Sequence, residues 1–130
     1  MAASYDEATA RRMDALVREF CEALPEVQER LSHGAPSYFV RGKKMFVALH
    51  DDHHGDGRLG VWCAAPPGVQ AVLLETEPDR FYKPAYVAQH GWIGLDLTKD
   101  FDRDELEAII EEAYRQVAPK TLIKQLDASA

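Results

Sequence analysis

Only two cysteines occur in the 130-residue sequence, and no CxxC pair is among its motifs. Cys21 lies in a helical pattern and Cys63 in a strand pattern, so neither a disulfide framework nor a cysteine zinc site is available. Both thiols are expected to be buried and reduced. No apolar run approaches the roughly 20 residues that span a bilayer; stretches such as VWCAAPPGV are far shorter. Met1 is followed by AASYDEATARR rather than by a basic start and an apolar block, so no anchor or export signal is read and a cytoplasmic location is expected, with no membrane partner. A basic excess is missing too: 15 Lys and Arg stand against 22 Asp and Glu, a formal charge of −7. Proteins that act by neutralising phosphates usually show the opposite imbalance, so a nucleic-acid role requires a local basic face. The signatures GxxxxGK[ST], HExxH and GxSxG are absent, which removes the commonest phosphate-loop, zinc-peptidase and serine-hydrolase readings. A non-enzymatic protein without cofactor or metal is expected.

What is present fits one soluble domain over residues 1–130, with 46% hydrophobic and 28% charged residues. Met13, Leu16, Val17, Phe20 and Leu24 recur at three- and four-residue spacing, which predicts a first helix ending before Pro25. EVQERLSH, the turn residues HGAPS and YFVRGKKMFVALH predict two strands, with RGKK able to turn inside the second. DDHHGDGR reads as a polar loop and LGVWCAA as the next strand, paired antiparallel with its predecessor. PPGVQAVLLETEPDR opens a short second helix with Val69, Val72, Leu73 and Thr76 on one side. FYKPAYVAQ is aromatic and β-prone, but Pro84 has no amide donor and makes it short, irregular or an edge. GWIGLDL alternates as a strand with one buried face. DRDELEAIIEEAYRQVAPK forms a closing helix, with Asp102 as N-cap, Glu105 three residues on, and Leu106, Ile109, Ile110, Ala113 and Val117 inside. Pro119 ends it, and Leu122, Ile123 and Leu126 add one more turn. The order is α-β-β-β-α-β(-β)-α, a two-layer α+β fold whose antiparallel sheet is covered on one face by helices.

Candidate binding residues gather in FYKPAYVAQHGWIGLDL. Arg80, Lys83 and His90 supply donors beside Tyr82, Tyr86 and Trp92, and cations next to stacking rings suit a nucleic acid or a planar ligand. In a continuous strand Tyr82, Pro84 and Tyr86 share one face, so the tyrosines form a platform while Lys83 points away. Arg41, Lys43 and Lys44 cluster at the RGKK turn, where a basic tip can touch a DNA backbone or guard an edge strand. Three phosphate contacts would give a log-log salt slope of only about −2.7. The loop HDDHHGDG holds His50, Asp51, Asp52, His53, His54 and Asp56; adjacent residues of one loop seldom converge on a metal, and it reads as a polar hairpin loop. Cys63, flanked by apolar residues, reads as a core thiol rather than a nucleophile.

LSHGAPSYFVRGKKMFVAL, LGVWCAAPPGVQAVLLETEPDRFYKPAYVAQHGWIGLDL and DELEAIIEEAYRQVAPKTL together resemble the MmcQ/YjbR family of small bacterial proteins. The resemblance runs from the first helix to Leu122 and is most specific from Arg80 to Leu97. It implies a compact α+β fold related in shape to CyaY (frataxin-like) and secretion-chaperone-like folds, and DNA as a partner. The alternative is a protein or small ligand held on the aromatic face around Tyr82, Tyr86 and Trp92.

Overall fold

Asp6 opens the first helix: its carboxylate accepts the Thr9 backbone N–H at 2.8 Å, the N-cap bond that Asp makes well. In the computed structural model, which describes residues 5–129, α1 runs Glu7–Glu22. Met1 to Ser4, the start of the stretch read above for an export signal, lie outside the described residues. The strands are β1 (Val27–Ser32), β2 (Ala35–Val40), β3 (Lys44–Asp51) and β4 (Leu59–Cys63), then β5 (Phe81–Tyr82) and β6 (Ile93–Asp96) after the helix α2 (Val69–Thr76). The helices α3 (Arg103–Val117) and α4 (Lys120–Ala128) follow. The six strands form one sheet in the order β1-β2-β3-β4-β6-β5, and every neighbouring pair is antiparallel. The α+β class and the layered sheet-and-helix plan expected from the sequence are present.

Three details differ from the sequence reading. RGKK closes a tight turn, with the Lys43 N–H on the Val40 carbonyl at 3.0 Å, so four strands rather than three precede α2. FYKPAYVAQ agrees with the reading from Pro84: only Phe81–Tyr82 pair, as the edge strand, and without a donor at Pro84 the chain leaves the sheet and turns through Ala88–His90 before β6. The tail forms the nine-residue α4, not a single turn, because Leu122 is 2% exposed and docks into the core. Asp102 does hold the N-cap position of α3, yet its side chain makes no capping bond.

Registers assign the two faces of the sheet. Val47 lies opposite Cys63, Val61 opposite Leu95, and Leu95 opposite Phe81, and these side chains face α1 and α3. The pairing slips between Tyr38 and Phe39, a bulge that turns Phe46 to the helix side as well, where its ring meets Tyr114 edge-on at 5.6 Å. Leu106, Ile110 and Tyr114 of α3 are fully buried against this layer, each contributing roughly 1.5–3 kcal/mol. Period-two alternation puts Ala48, His50, Gly60, Trp62, Gly94 and Tyr82 on the opposite face.

Candidate functional site

The face away from α1 and α3 holds a set of touching rings. His50 and Trp62 sit on neighbouring strands and stack at 3.5 Å between centroids with planes 18° apart. His53 stands edge-on to both, at 5.1 Å from His50 and 5.0 Å from Trp62, and also approaches His54 (4.2 Å) and Tyr86 (5.9 Å). The Tyr86 hydroxyl lies 3.4 Å from Nε2 of His54. Trp62 is fixed from its far side, where its indole N–H donates to the Tyr82 hydroxyl at 2.9 Å.

Around these rings is a cavity of about 970 Å³, at the upper end of the range for small-molecule sites. Ser37, Ala48 and Trp62 are on its floor, and three separate connections wall it: the β1–β2 turn with His33, the β3–β4 loop with Asp52, His53 and His54, and Ala85–Val87. Topology explains the meeting. In an antiparallel meander alternate turns fall at the same end, so the first and third connections are neighbours while the RGKK turn lies at the other end. Four of the five histidines thereby line one cavity. Its walls are strained: His33 (φ 51°), Asp52 (φ 54°), His54 (φ 50°) and Tyr86 (φ 68°) are all left-handed. Non-glycine residues avoid that region, and such conformations cluster at binding sites.

Burial sets the protonation state of one of these rings. Burial, reinforced by His53 and His33, pulls the His50 pKa down to about 4, so its ring is neutral at neutral pH. Asp51 accepts the Tyr5 hydroxyl, and burial together with that carboxylate pushes Tyr5 ionisation up. Asp52 accepts the Gly57 N–H at 2.7 Å. No lysine or arginine is among the described lining residues. Arg58, nearby in sequence, lies over the Tyr82 ring at 4.1 Å and beside Asp56. No group of three or more His, Cys, Asp or Glu among the described residues is arranged to hold a metal ion.

The residues singled out from the sequence do not form one patch. Tyr86 is 73% exposed and belongs to the cavity. Tyr82 is half-buried with its ring over Gly94, so the Tyr82–Tyr86 platform expected of a continuous strand does not form. Trp92 is 8% exposed and sits in the core, with its carbonyl held by the Gln70 side chain at 2.6 Å. Arg80 is engaged by Glu77 and by Glu105 of α3, the latter at 2.7 and 2.8 Å, and these carboxylates raise its pKa further. Arg41 bonds Glu26 at 3.2 and 3.3 Å. Lys43 and Lys44 are exposed at the β2–β3 turn, and Lys83 and His90 are exposed on the other side of the sheet order. Sequence reasoning missed Trp62 and His33 and set aside His50, His53 and His54 as loop residues; the available signal was that His33 and HDDHHGDG occupy alternate turns of one meander.

These features define a class: an α+β domain with helices packed on one side of an antiparallel sheet and a ring-lined cavity on the other. The YjbR family model matches residues 22–116, and the chain belongs to the YjbR family. The crystal structure of Deinococcus radiodurans protein DR2400, which carries a DUF419 family-model domain, is similar in fold. Its TM-score is 0.67 at 19% identity, over 88% of this chain and 87% of that one. No curated protein matches the chain. No helix of the described residues is long and apolar enough to cross a membrane.

Proposed function

We propose that this protein is a non-enzymatic, cytoplasmic binding domain that seats a small organic ligand in the cavity on the helix-free face. The observation that carries this reading is the convergence of three separate connections, four of their residues in left-handed conformations, around the Trp62–His50–His53 rings. Pre-formed concave sites with a few polar groups are where small molecules bind. A binding rather than catalytic role is supported by the thiols: burial pushes Cys63 and Cys21 up, away from the reactive thiolate. Two free, buried cysteines also suit a reducing compartment.

DNA binding is the second reading, favoured by Lys43 and Lys44, which are exposed and take part in no ion pair among the described residues. It has less support, because Arg41 and Arg80 are already held by carboxylates. The two groups are also apart: Tyr86 lies against His54 of the β3–β4 loop, at the end of the eight-residue β3 away from Lys43 and Lys44, roughly 25 Å of strand.

One experiment separates the two. Backbone amide NMR spectra are recorded with a collection of small aromatic fragments and, separately, with short duplex and single-stranded DNA. Shifts confined to His33, Ser37, His50–His54 and Tyr86 with fragments support the cavity. Shifts at Arg41–Lys44 with DNA, and none at the cavity with any fragment, would replace it with the nucleic-acid reading.

A further inference from the structure

We infer that the cavity selects a flat nitrogen-ring compound that is cationic or uncharged, and discriminates against carboxylates and phosphates of the same size. This rests on the cavity being the binding site and adds the ligand's chemical class. Shape asks for a flat ring: His50, stacked on the buried Trp62, stands with His53 and Tyr86 around the cavity, and the Tyr86 side chain projects largely into solvent, where a second ring can lie against it. Charge narrows the class. The lining residues include Asp52 and, among the described residues, no arginine or lysine, so no guanidinium or ammonium group compensates a bound anion there. Arg58, beside the β3–β4 loop, is stacked on Tyr82 and lies beside Asp56. A cation, by contrast, meets the Asp52 carboxylate and π faces, each attractive. Imidazoles supply both a donor and an acceptor nitrogen, which a ring nitrogen or ring amine can use. A nucleotide fits this cavity poorly, because its phosphate would enter the same negative field.

The test uses the full chain and three probes of one shape, 6-methylquinoline, N-methylquinolinium and quinoline-6-carboxylate, titrated at pH 7.5 and low salt with amide NMR as the readout. N-methylquinolinium and 6-methylquinoline are expected to shift the cavity resonances at concentrations at least about tenfold below the carboxylate. Asp52→Asn, which keeps the acceptor to Gly57 and tolerates the left-handed backbone, should narrow the preference for the cation severalfold while leaving 6-methylquinoline unchanged. Equal or tighter binding of quinoline-6-carboxylate at the same resonances overturns the charge selection but leaves the cavity as the site. An unchanged preference in Asp52→Asn overturns the role given to that carboxylate. If none of the three moves a cavity resonance, while DNA or other fragments move resonances elsewhere, the cavity reading itself falls.

Discussion

Trp62 and Tyr82 are joined across the sheet by an indole N–H donated to the phenol oxygen at 2.9 Å, over a glycine between them in the sheet. The contact exists because Gly94 and Gly60 have no side chains: a β-carbon at Gly94 would lie 2.7 Å from the Tyr82 ring, and one at Gly60 1.8 Å from its hydroxyl. Tyr82→Phe leaves the Trp62 N–H without its acceptor and is expected to cost about 1–2 kcal/mol. Gly94→Ala forces the ring aside and should cost about 1–3 kcal/mol. Urea unfolding followed by tryptophan fluorescence measures both; a loss below ~0.5 kcal/mol in both variants would show that the pair does not hold the floor of the cavity.

Tyr38 gives the opposite expectation from the same chemistry. It is fully buried beneath α1, and its hydroxyl has no hydrogen-bond partner among the described residues. Tyr38→Phe removes a desolvated polar atom at nearly constant volume, so stability is expected to stay level or rise by about 1 kcal/mol. A loss above ~1 kcal/mol by the same urea titration would mean that the hydroxyl is satisfied in solution.

His50 makes stability fall as the solution is acidified. Its folded pKa is lowered to about 4, by burial first and then by His53 and His33, against about 6.5 unfolded. The unfolded chain therefore binds the extra proton between those values. Stability contributed by the neutral ring is whole above about pH 6.5 and is lost as pH drops through that window to about 4, on the order of 2 kcal/mol. Carboxylates with lowered pKa values, such as Glu105 beside Arg80, add their loss below the normal carboxylate range, so pH 7.5 and pH 5 isolate the histidine. Urea midpoints of His50→Gln should change less between those two pH values than those of the wild type; an identical pH dependence would reject the assignment.

Tyr86 separates stability from binding. Its backbone is left-handed at φ 68° and its side chain is 73% exposed, so the ring adds little to the core while the conformation costs about 1 kcal/mol. Tyr86→Gly is expected to leave the protein as stable or up to about 1 kcal/mol more stable, and to weaken binding of the ring probes severalfold. Thermal melts paired with the NMR titration check this, and unchanged probe affinity would remove Tyr86 from the site.

Trp92 belongs to the structural half of the stretch FYKPAYVAQHGWIGLDL. At 8% exposure within the core, Trp92→Ala should cost about 3–5 kcal/mol. Circular dichroism and urea titration give the value, and a cost near 1 kcal/mol would mean that the ring is not packed in solution.

Much of the fold was legible along the chain. The stripes of α1 and α3, the alternation of β6, the break at Pro84 and the helix end at Pro119 are local facts of period and backbone chemistry, and they reappear in the structure. The site was less legible. Arg80 looked like a free cation because Glu105 is 25 residues away along the chain, and only folding brings the two to 2.7 Å. Tyr82 and Tyr86 looked like one platform because a strand was carried past a proline that cannot donate to it. Trp92 looked available because exposure is not written in composition.

Hydrophobic period, turn residues and motif order act over short range, and along the chain they carry the α+β class, the antiparallel pairing and the family resemblance. The cavity depends instead on long-range packing. His33, Asp52, His54, Trp62 and Tyr86 belong to separate segments. They meet because alternate turns of a meander fall at one end of a sheet, and because two glycines let Tyr82 lock Trp62 in place from the far edge.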